Sequence, residues 1–333
     1  MAKLIQFLII AYTRRCFIGI VFIFFISAPA FALHPLITDD TGTQGKGGLQ
    51  LEFGYQHDHL DFRWLDRNPE SILTSKLEGQ SNFGKVLTRD DINMTTLTIT
   101  YGIIDNLDVA VGIPHLNIKS KESRLYYSDV NQFLTRKSTT TSSGISDIVT
   151  EFKWKFFEYK ALSLGLKPGI TFPSGEEYRG LGNGRLGAYG YFLTTLEITP
   201  VVMHVNLGYI RNENGHMERE DIWHGSVAFE FWVVKDFLRL VANCALERNR
   251  YKWSNIHDVT AVGGIIVSPT EDFDIDLGFK WRFSQKGTQS PTTQYTLPQG
   301  IFTRPDYSFT GGMTMRFNIH DAIKKNSEKT EKK

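Results

Sequence analysis

From Phe273 to Phe283 every second residue is large and apolar: Phe273, Ile275, Leu277, Phe279, Trp281 and Phe283 alternate with Asp274, Asp276, Gly278, Lys280 and Arg282. A repeat of two puts the two sets on opposite faces of an extended strand, whereas a helix would scatter both around its circumference. Strands of soluble sheets usually run to about five or six residues. About ten residues with one aromatic-rich face is the pattern of a tilted strand crossing a bilayer.

The same rhythm recurs along the chain. Leu49, Leu51, Phe53 and Tyr55 open it, Leu97, Ile99 and Tyr101 continue it, and Leu107, Val109, Val111 and Ile113 mark a third strand. Phe152, Trp154 and Phe156 then alternate with Glu151, Lys153 and Lys155, whose charges exclude that second face from lipid. Further strands are marked by Leu162 to Phe172, Tyr189 to Leu193, Met203 to Tyr209, Trp223 to Val233, Leu238 to Leu246 and Tyr307 to Phe317. The run Val259 to Val267 is apolar on both faces, so its phase stays open.

The connections follow a rule of their own. Tight turns are expected at 104–106, 158–160, 198–200, 234–236 and 268–271, and between them lie longer polar connections near 60–90, 119–144, 173–186, 211–221, 248–257 and 284–305. Short periplasmic turns alternating with long outer loops are the habit of outer-membrane barrels. The expectation is therefore all-β: a single-domain, closed antiparallel transmembrane β-barrel of about twelve strands over residues 49–317. Closure is required because an unpaired backbone group costs several kcal/mol in hydrocarbon. Barrels of roughly eight strands have filled interiors and those of sixteen to eighteen have open channels, so twelve implies a narrow lumen.

Charge and the N-terminus refine this picture. Lys and Arg number 37 against 36 Asp and Glu, so no basic excess points to nucleic acid. Arg14 and Arg15 precede an apolar run from Cys16 to Ile26, and Ala30 and Ala32 form a small-x-small cleavage site, which marks residues 1–32 as a secretory signal peptide. Residues 33–48 read as an irregular periplasmic lead-in, with entry into the lumen as a plug left open, and residues 318–333 as a charged periplasmic tail. Cys244 is then the single cysteine of the mature chain, and no disulfide framework is expected.

The inward phase collects the candidate lumen-lining residues Glu52, Glu151, Lys153, Lys155, His224, Glu230, Arg239, Glu247, Asp274, Asp276, Lys280, Arg282 and Arg316. They either line a solute path or pair with one another to fill the interior. His224 and Ser226 have the two-residue spacing of a barrel acyl hydrolase, in which an imidazole activates a hydroxyl. Such a pair must face lipid substrate, and here Trp223 and Val227 hold the outward phase. His57 and His59 share one strand face without a third metal ligand nearby in sequence. The glycines at 180, 182, 184 and 187 precede a strand and not a helix, so they form an outer loop rather than a phosphate cradle. No catalytic residue, metal or cofactor is expected.

Three segments resemble a known group: Pro35 to Gly42 followed by G-L-Q-L-E-F-G-Y; Tyr101 to Leu107 leading into V-A-V-G-I-P; and Leu166 to Gly175. Together they resemble the outer-membrane barrel family associated with the meta-pathway of phenol degradation. That resemblance implies a bacterial outer-membrane transporter that passes small hydrophobic or aromatic solutes and performs no covalent chemistry. Its expected partners are membrane lipid and lipopolysaccharide, the solute and the barrel assembly machinery. The alternatives are a structural or surface-interaction barrel and, third, an acyl hydrolase using His224 and Ser226.

Overall fold

The computed structural model describes residues 36–65, 83–127, 133–212, 220–248, 257–284 and 305–318. The signal peptide expected at 1–32, residues 33–35, the tail expected after Asn318 and parts of the longer loops lie outside the described residues. Thirteen strands follow one another: β1 (Gly48–Leu65), β2 (Phe83–Ile104), β3 (Leu107–Tyr127), β4 (Phe133–Ile145), β5 (Ile148–Tyr159), β6 (Leu162–Phe172) and β7 (Gly187–Ile198) come first. They continue with β8 (Val201–Asn212), β9 (Asp221–Val234), β10 (Leu238–Arg248), β11 (His257–Thr270), β12 (Phe273–Ser284) and β13 (Pro305–Asn318). A short 3₁₀ turn at Glu177–Arg179 interrupts the loop between β6 and β7.

Every strand except β4 belongs to one ring of twelve. Each runs antiparallel to its neighbours, and Gly48 opposite Asn318 closes the ring between β1 and β13. The five short turns, after β2, β5, β7, β9 and β11, all fall at one end of the barrel, together with the start of β1 and the end of β13. Lys160 and Asp236 adopt positive φ (52° and 57°) in two of these turns, a left-handed geometry that tight reversals demand.

Side chains are distributed inside out. On the outer face Trp223 is 61% exposed, Leu277 53% and Trp281 50%, whereas Glu230, Asp274 and Asp276 on the inner face are 6%, 4% and 2% exposed. Burial of carboxylates behind a bare apolar wall is the reverse of a soluble core. It is the arrangement expected where the outer solvent is hydrocarbon. The phase of β11 is resolved as well: Val262, Ile266 and Ser268 are buried on the inner face and Ile265 is exposed on the outer.

Two expectations are corrected at the wide-loop end. The stretch 119–144, expected as a loop, holds the last nine residues of β3 and all of β4 but Ile145, the two strands pairing from His115 opposite Ile145 to Tyr127 opposite Phe133. Likewise β1 continues to Leu65 and β2 begins at Phe83, inside the loop expected at 60–90. The apolar alternation that marks membrane strands is missing there because the outer face turns polar: Asn93, Asn117 and Lys119 succeed Leu97 and Ile113 along the same phase. Threonine-rich segments still favour extended backbone. By alternation, Ile92, Met94, Leu116 and Ile118 fall on the inner phase of these extensions.

Candidate functional site: the barrel interior and a thin place in its wall

Residues 36–47 fold into the barrel from the short-turn end. Gly45 and Gly47 adopt positive φ (73° and 77°), which only glycine enters freely. Gly47 N–H donates to the Gly102 carbonyl at 2.8 Å. A Cβ on Gly102 would collide with the Gly45 carbonyl, so the crossing requires a bare backbone on β2. Beyond it, Gln44 N–H donates to Asp108 Oδ2 (2.9 Å), Thr41 N–H to Thr195 Oγ1 (3.1 Å), and the hydroxyls of Thr41 and Ser163 lie 2.5 Å apart.

The far part of this segment is held by side chains that replace a partner strand. Asn243 Oδ1 accepts from Ile37 N–H (2.6 Å) and Thr38 N–H (3.1 Å), while its amide donates to Thr38 Oγ1 (2.7 Å). The Asn206 amide, in the orientation that satisfies both its atoms, accepts from Asp39 N–H (2.6 Å) and donates to the Asp39 carbonyl (3.0 Å). Backbone groups carried into the interior are thereby paired, as burial requires. The segment spans the interior from β3 to β10.

At its centre Asp39 Oδ1 accepts from Lys153 Nζ and Oδ2 from Lys167 Nζ, each at 2.8 Å. Lys153 also reaches Asp40 (3.3 Å), and Lys167 reaches Glu151 (2.9 Å), whose other oxygen accepts from Tyr189 Oη (2.8 Å). Burial alone would raise the Asp39 carboxyl; the charges and hydrogen bonds of the two ammonium groups outweigh it and hold the group well below the usual carboxylate range.

A second network occupies the inner face of β9 to β13. Arg239 bonds Glu230 (2.8 Å) and Asp274 (3.3 Å), and its guanidinium lies over the Trp232 ring with 4.9 Å to the centroid. Arg316 adds a contact to Asp274 (2.8 Å) and one to Gln50 (3.2 Å), and Ser268 Oγ donates to Asp274 Oδ1 (2.5 Å). Buried ions are tolerable only when paired and hydrogen-bonded in this way.

The remaining predicted residues are more dispersed. Lys280 donates to Gln56 Oε1 (2.7 Å), Lys155 pairs with Glu158 near its turn (2.5 Å), and His224 Nδ1 lies 3.2 Å from Glu247. Glu52 and Arg282 are half-buried on the inner phase. Asp276 Oδ1 is buried without a hydrogen-bond partner among the described residues. His224 and Ser226 are both buried on the inner face, and neither His224 Nε2 nor Ser226 Oγ has a hydrogen-bond partner among the described residues. His57 and His59 stand on the outer phase and bond Asn93 (3.0 Å) and Asp91 (2.8 Å).

Sequence reasoning missed Asp39, Lys167, Asn206, Asn243, Tyr189 and Tyr191. Inward phase and polarity marked Lys167, Asn206 and Asn243; Tyr189 and Tyr191, expected with Leu193 to mark the apolar face of their strand, lie instead on the inner face, where Leu193 is buried and Phe192 takes the outer one, and Asp39 lies on no strand. Tyr191 packs across Gly208, where a Cβ would strike its ring, and Tyr189 packs across Gly169 in the same way. The two tyrosine rings stand edge-on at 5.6 Å, and Tyr191 stands edge-on to His224 at 5.5 Å.

On the opposite side of the same wall lies an outward groove of about 1060 Å³, whose walls include Trp154, Leu166, Phe192, Leu207 and Trp223. Its floor is formed where Pro168, Gly190, Gly208 and Gly225 leave the sheet with little side chain. Pro168 faces Gly190 across the β6–β7 seam and has no N–H to give. Between β5 and β6, Glu151 pairs with Gly169 and Trp154 with Leu166, and Pro168 stands in the interval. Inner-face residues Lys167, Tyr191 and His224 reach the same groove, so the wall here is about one backbone thick.

This combination defines a closed antiparallel twelve-strand barrel with an apolar outer face and an interior occupied by its own leading segment. The fold resembles solved structures. An outer membrane channel from Pseudomonas putida F1, belonging to the group designated COG4313, superposes with a TM-score of 0.51 at 12% identity, over 84% of this chain and 98% of that one. The toluene transporter TbuX of Ralstonia pickettii superposes with a TM-score of 0.48 at 9% identity, over 87% of this chain and 96% of that one. No protein-family model matches the chain, and no curated protein matches it in sequence.

Proposed function

We propose that the protein is a bacterial outer-membrane channel for small hydrophobic or aromatic solutes, and that it does no covalent chemistry. The observation that carries this reading is the thin place in the wall. The groove of about 1060 Å³ is largely apolar and aromatic, has the volume of a small-molecule site, and is reached by Tyr191 and His224 of the inner face beside Pro168 and three glycines. A solute there is as close to the interior as the wall permits. The likeness of the fold to an outer membrane channel adds to this reading. Solute-path lining then falls to the inner residues around Tyr191, while the Arg239 network and the leading segment fill the short-turn end.

Partners follow from position. The apolar belt meets lipid, the short turns face the periplasm, and above the belt Lys119, Lys121 and Lys137 are exposed on the outer phase of β3 and β4. Cations at that level suit the phosphates of lipopolysaccharide. The barrel assembly machinery would insert the chain.

Gly190→Trp tests the reading, because an indole at that position fills the groove from its floor. Cells with an intact outer leaflet should take up naphthalene faster when they carry the wild-type protein, and Gly190→Trp should remove most of that gain. Equal uptake with and without the protein sinks the channel; equal uptake by wild type and variant sinks the thin wall as its route.

A further inference from the structure

The seat of Asp39 is a complete carboxylate site. Lys153 and Lys167 come from adjacent strands, their side chains are largely covered (20% and 17% exposed), and each ammonium takes one oxygen of the same carboxylate at 2.8 Å. Among the described residues, the carboxylates in ion-pair contact with these two lysines are Asp39 and Asp40 of the leading segment and Glu151 of the wall, and buried Asp108 of β3 stands opposite Lys153 in the strand register. Withdrawal of the segment would leave each of these largely covered ammonium groups without the carboxylate oxygen it now takes at 2.8 Å. A neutral hydrocarbon cannot replace that oxygen; another carboxylate can.

An aromatic surface adjoins the clamp. Lys167 Nζ lies 5.9 Å from the centroid of the Tyr191 ring, and Tyr191 continues the inner face between Tyr189 and His224. A ring attached to a carboxylate held by the lysines would meet these edges, which favour aromatic contact.

We propose that Lys153 and Lys167 form a binding site for aromatic carboxylates, occupied by Asp39 while the leading segment is seated and by solute when it withdraws. The proposal rests on the channel reading and narrows its solute class to aromatic acids exchanged against the chain's own carboxylate. It explains why the segment places an aspartate, and not an apolar residue, at the centre of a hydrophobic-solute route.

Titration calorimetry with benzoate and with benzyl alcohol tests it on the purified barrel. Asp39→Ala should bind benzoate at least about tenfold more tightly than wild type, a change readily read as a difference in Kd. Benzyl alcohol should not respond. Adding Lys153→Met and Lys167→Met should abolish the gain, with heat-modifiable gel migration showing that the barrel remains closed. If that variant does not fold, the wild type supplies the second readout: saturating benzoate, and not benzyl alcohol, should expose residues 36–47 to protease. Benzoate binding that ignores Asp39, or survives loss of both lysines, or is matched by benzyl alcohol, overturns the proposal; so does a segment left protected at saturating benzoate. Failure of naphthalene uptake with intact benzoate exchange would instead remove the hydrophobic route and keep the clamp.

Discussion

Asp39 Oδ2 lies 2.8 Å from Lys167 Nζ, although 128 residues separate the two in sequence. This contact and its twin to Lys153 anchor a segment held elsewhere by backbone groups, amides, hydroxyls and the carboxylates of Asp105 and Asp108. Asp39→Asn keeps the shape and removes the charge, so two largely covered ammonium groups lose a counter-ion. Removing one partner of a buried pair costs about 3–5 kcal/mol. The expected result is protease cleavage within residues 36–47, with heat-modifiable migration of the barrel unchanged.

Acid should release the segment only under extreme conditions. The Asp39 carboxyl is depressed from its ordinary 3.8, so the stability it contributes is fully present above that value and is lost only as pH falls through the depressed one. Between pH 7 and about 4, protease protection of residues 36–47 should stay constant. Release midway through that range would show that something other than the Asp39 clamp governs the segment.

Arg239 bridges Glu230 and Asp274, whose side chains are 7% and 6% exposed. Arg239→Met preserves most of the stem that lies over Trp232 but removes the cation that the two carboxylates share, leaving Asp274 to Arg316 and Ser268. A loss of about 3–5 kcal/mol is expected in urea unfolding of the barrel in detergent. A loss below about 1 kcal/mol, the range of exposed pairs, would mean that the network fills space without stabilising it.

Adjacent positions on β12 should respond in opposite ways. Leu277→Lys puts a cation on the outer face and should cost about 2–4 kcal/mol in lipid if Leu277 lies near mid-membrane. Asp276→Asn removes a carboxyl oxygen that has no partner among the described residues and leaves a neutral group of the same shape. No loss is expected there, since an unpaired buried charge is itself unfavourable. Equal tolerance at both positions in reconstituted unfolding measurements would contradict the assignment of faces.

The period of two made the wall legible. Phe273 to Phe283 carries its orientation in its own residues, because lipid and interior ask for opposite chemistry at alternate positions. β4 escaped for the same reason in reverse: Thr-Arg-Lys-Ser-Thr-Thr-Thr-Ser-Ser is polar on both faces, and a strand above the apolar belt has no apolar face to declare. The interior was half legible. Inward phase identified Lys153 and Glu151 as members of a set, but the pairing of Lys153 with Asp39 across 114 residues depends on where an irregular segment lies. Nothing periodic encodes that path. Gly102 and Gly45, which permit the crossing, look in sequence like any other turn glycines.

β4 leaves the ring with a free margin, since among the described residues it pairs with β3 alone. A row of unpaired backbone N–H and C=O groups beyond the barrel rim is a template on which another copy could add a strand. Residues 135–140 on that margin are all exposed and include Arg136 and Lys137 within a run of hydroxyl side chains. Two adjacent cations repel a like edge, and hydrated threonines offer no apolar surface to seal a second sheet. The margin of β4 is thus guarded by charge and hydration rather than by a neighbouring strand.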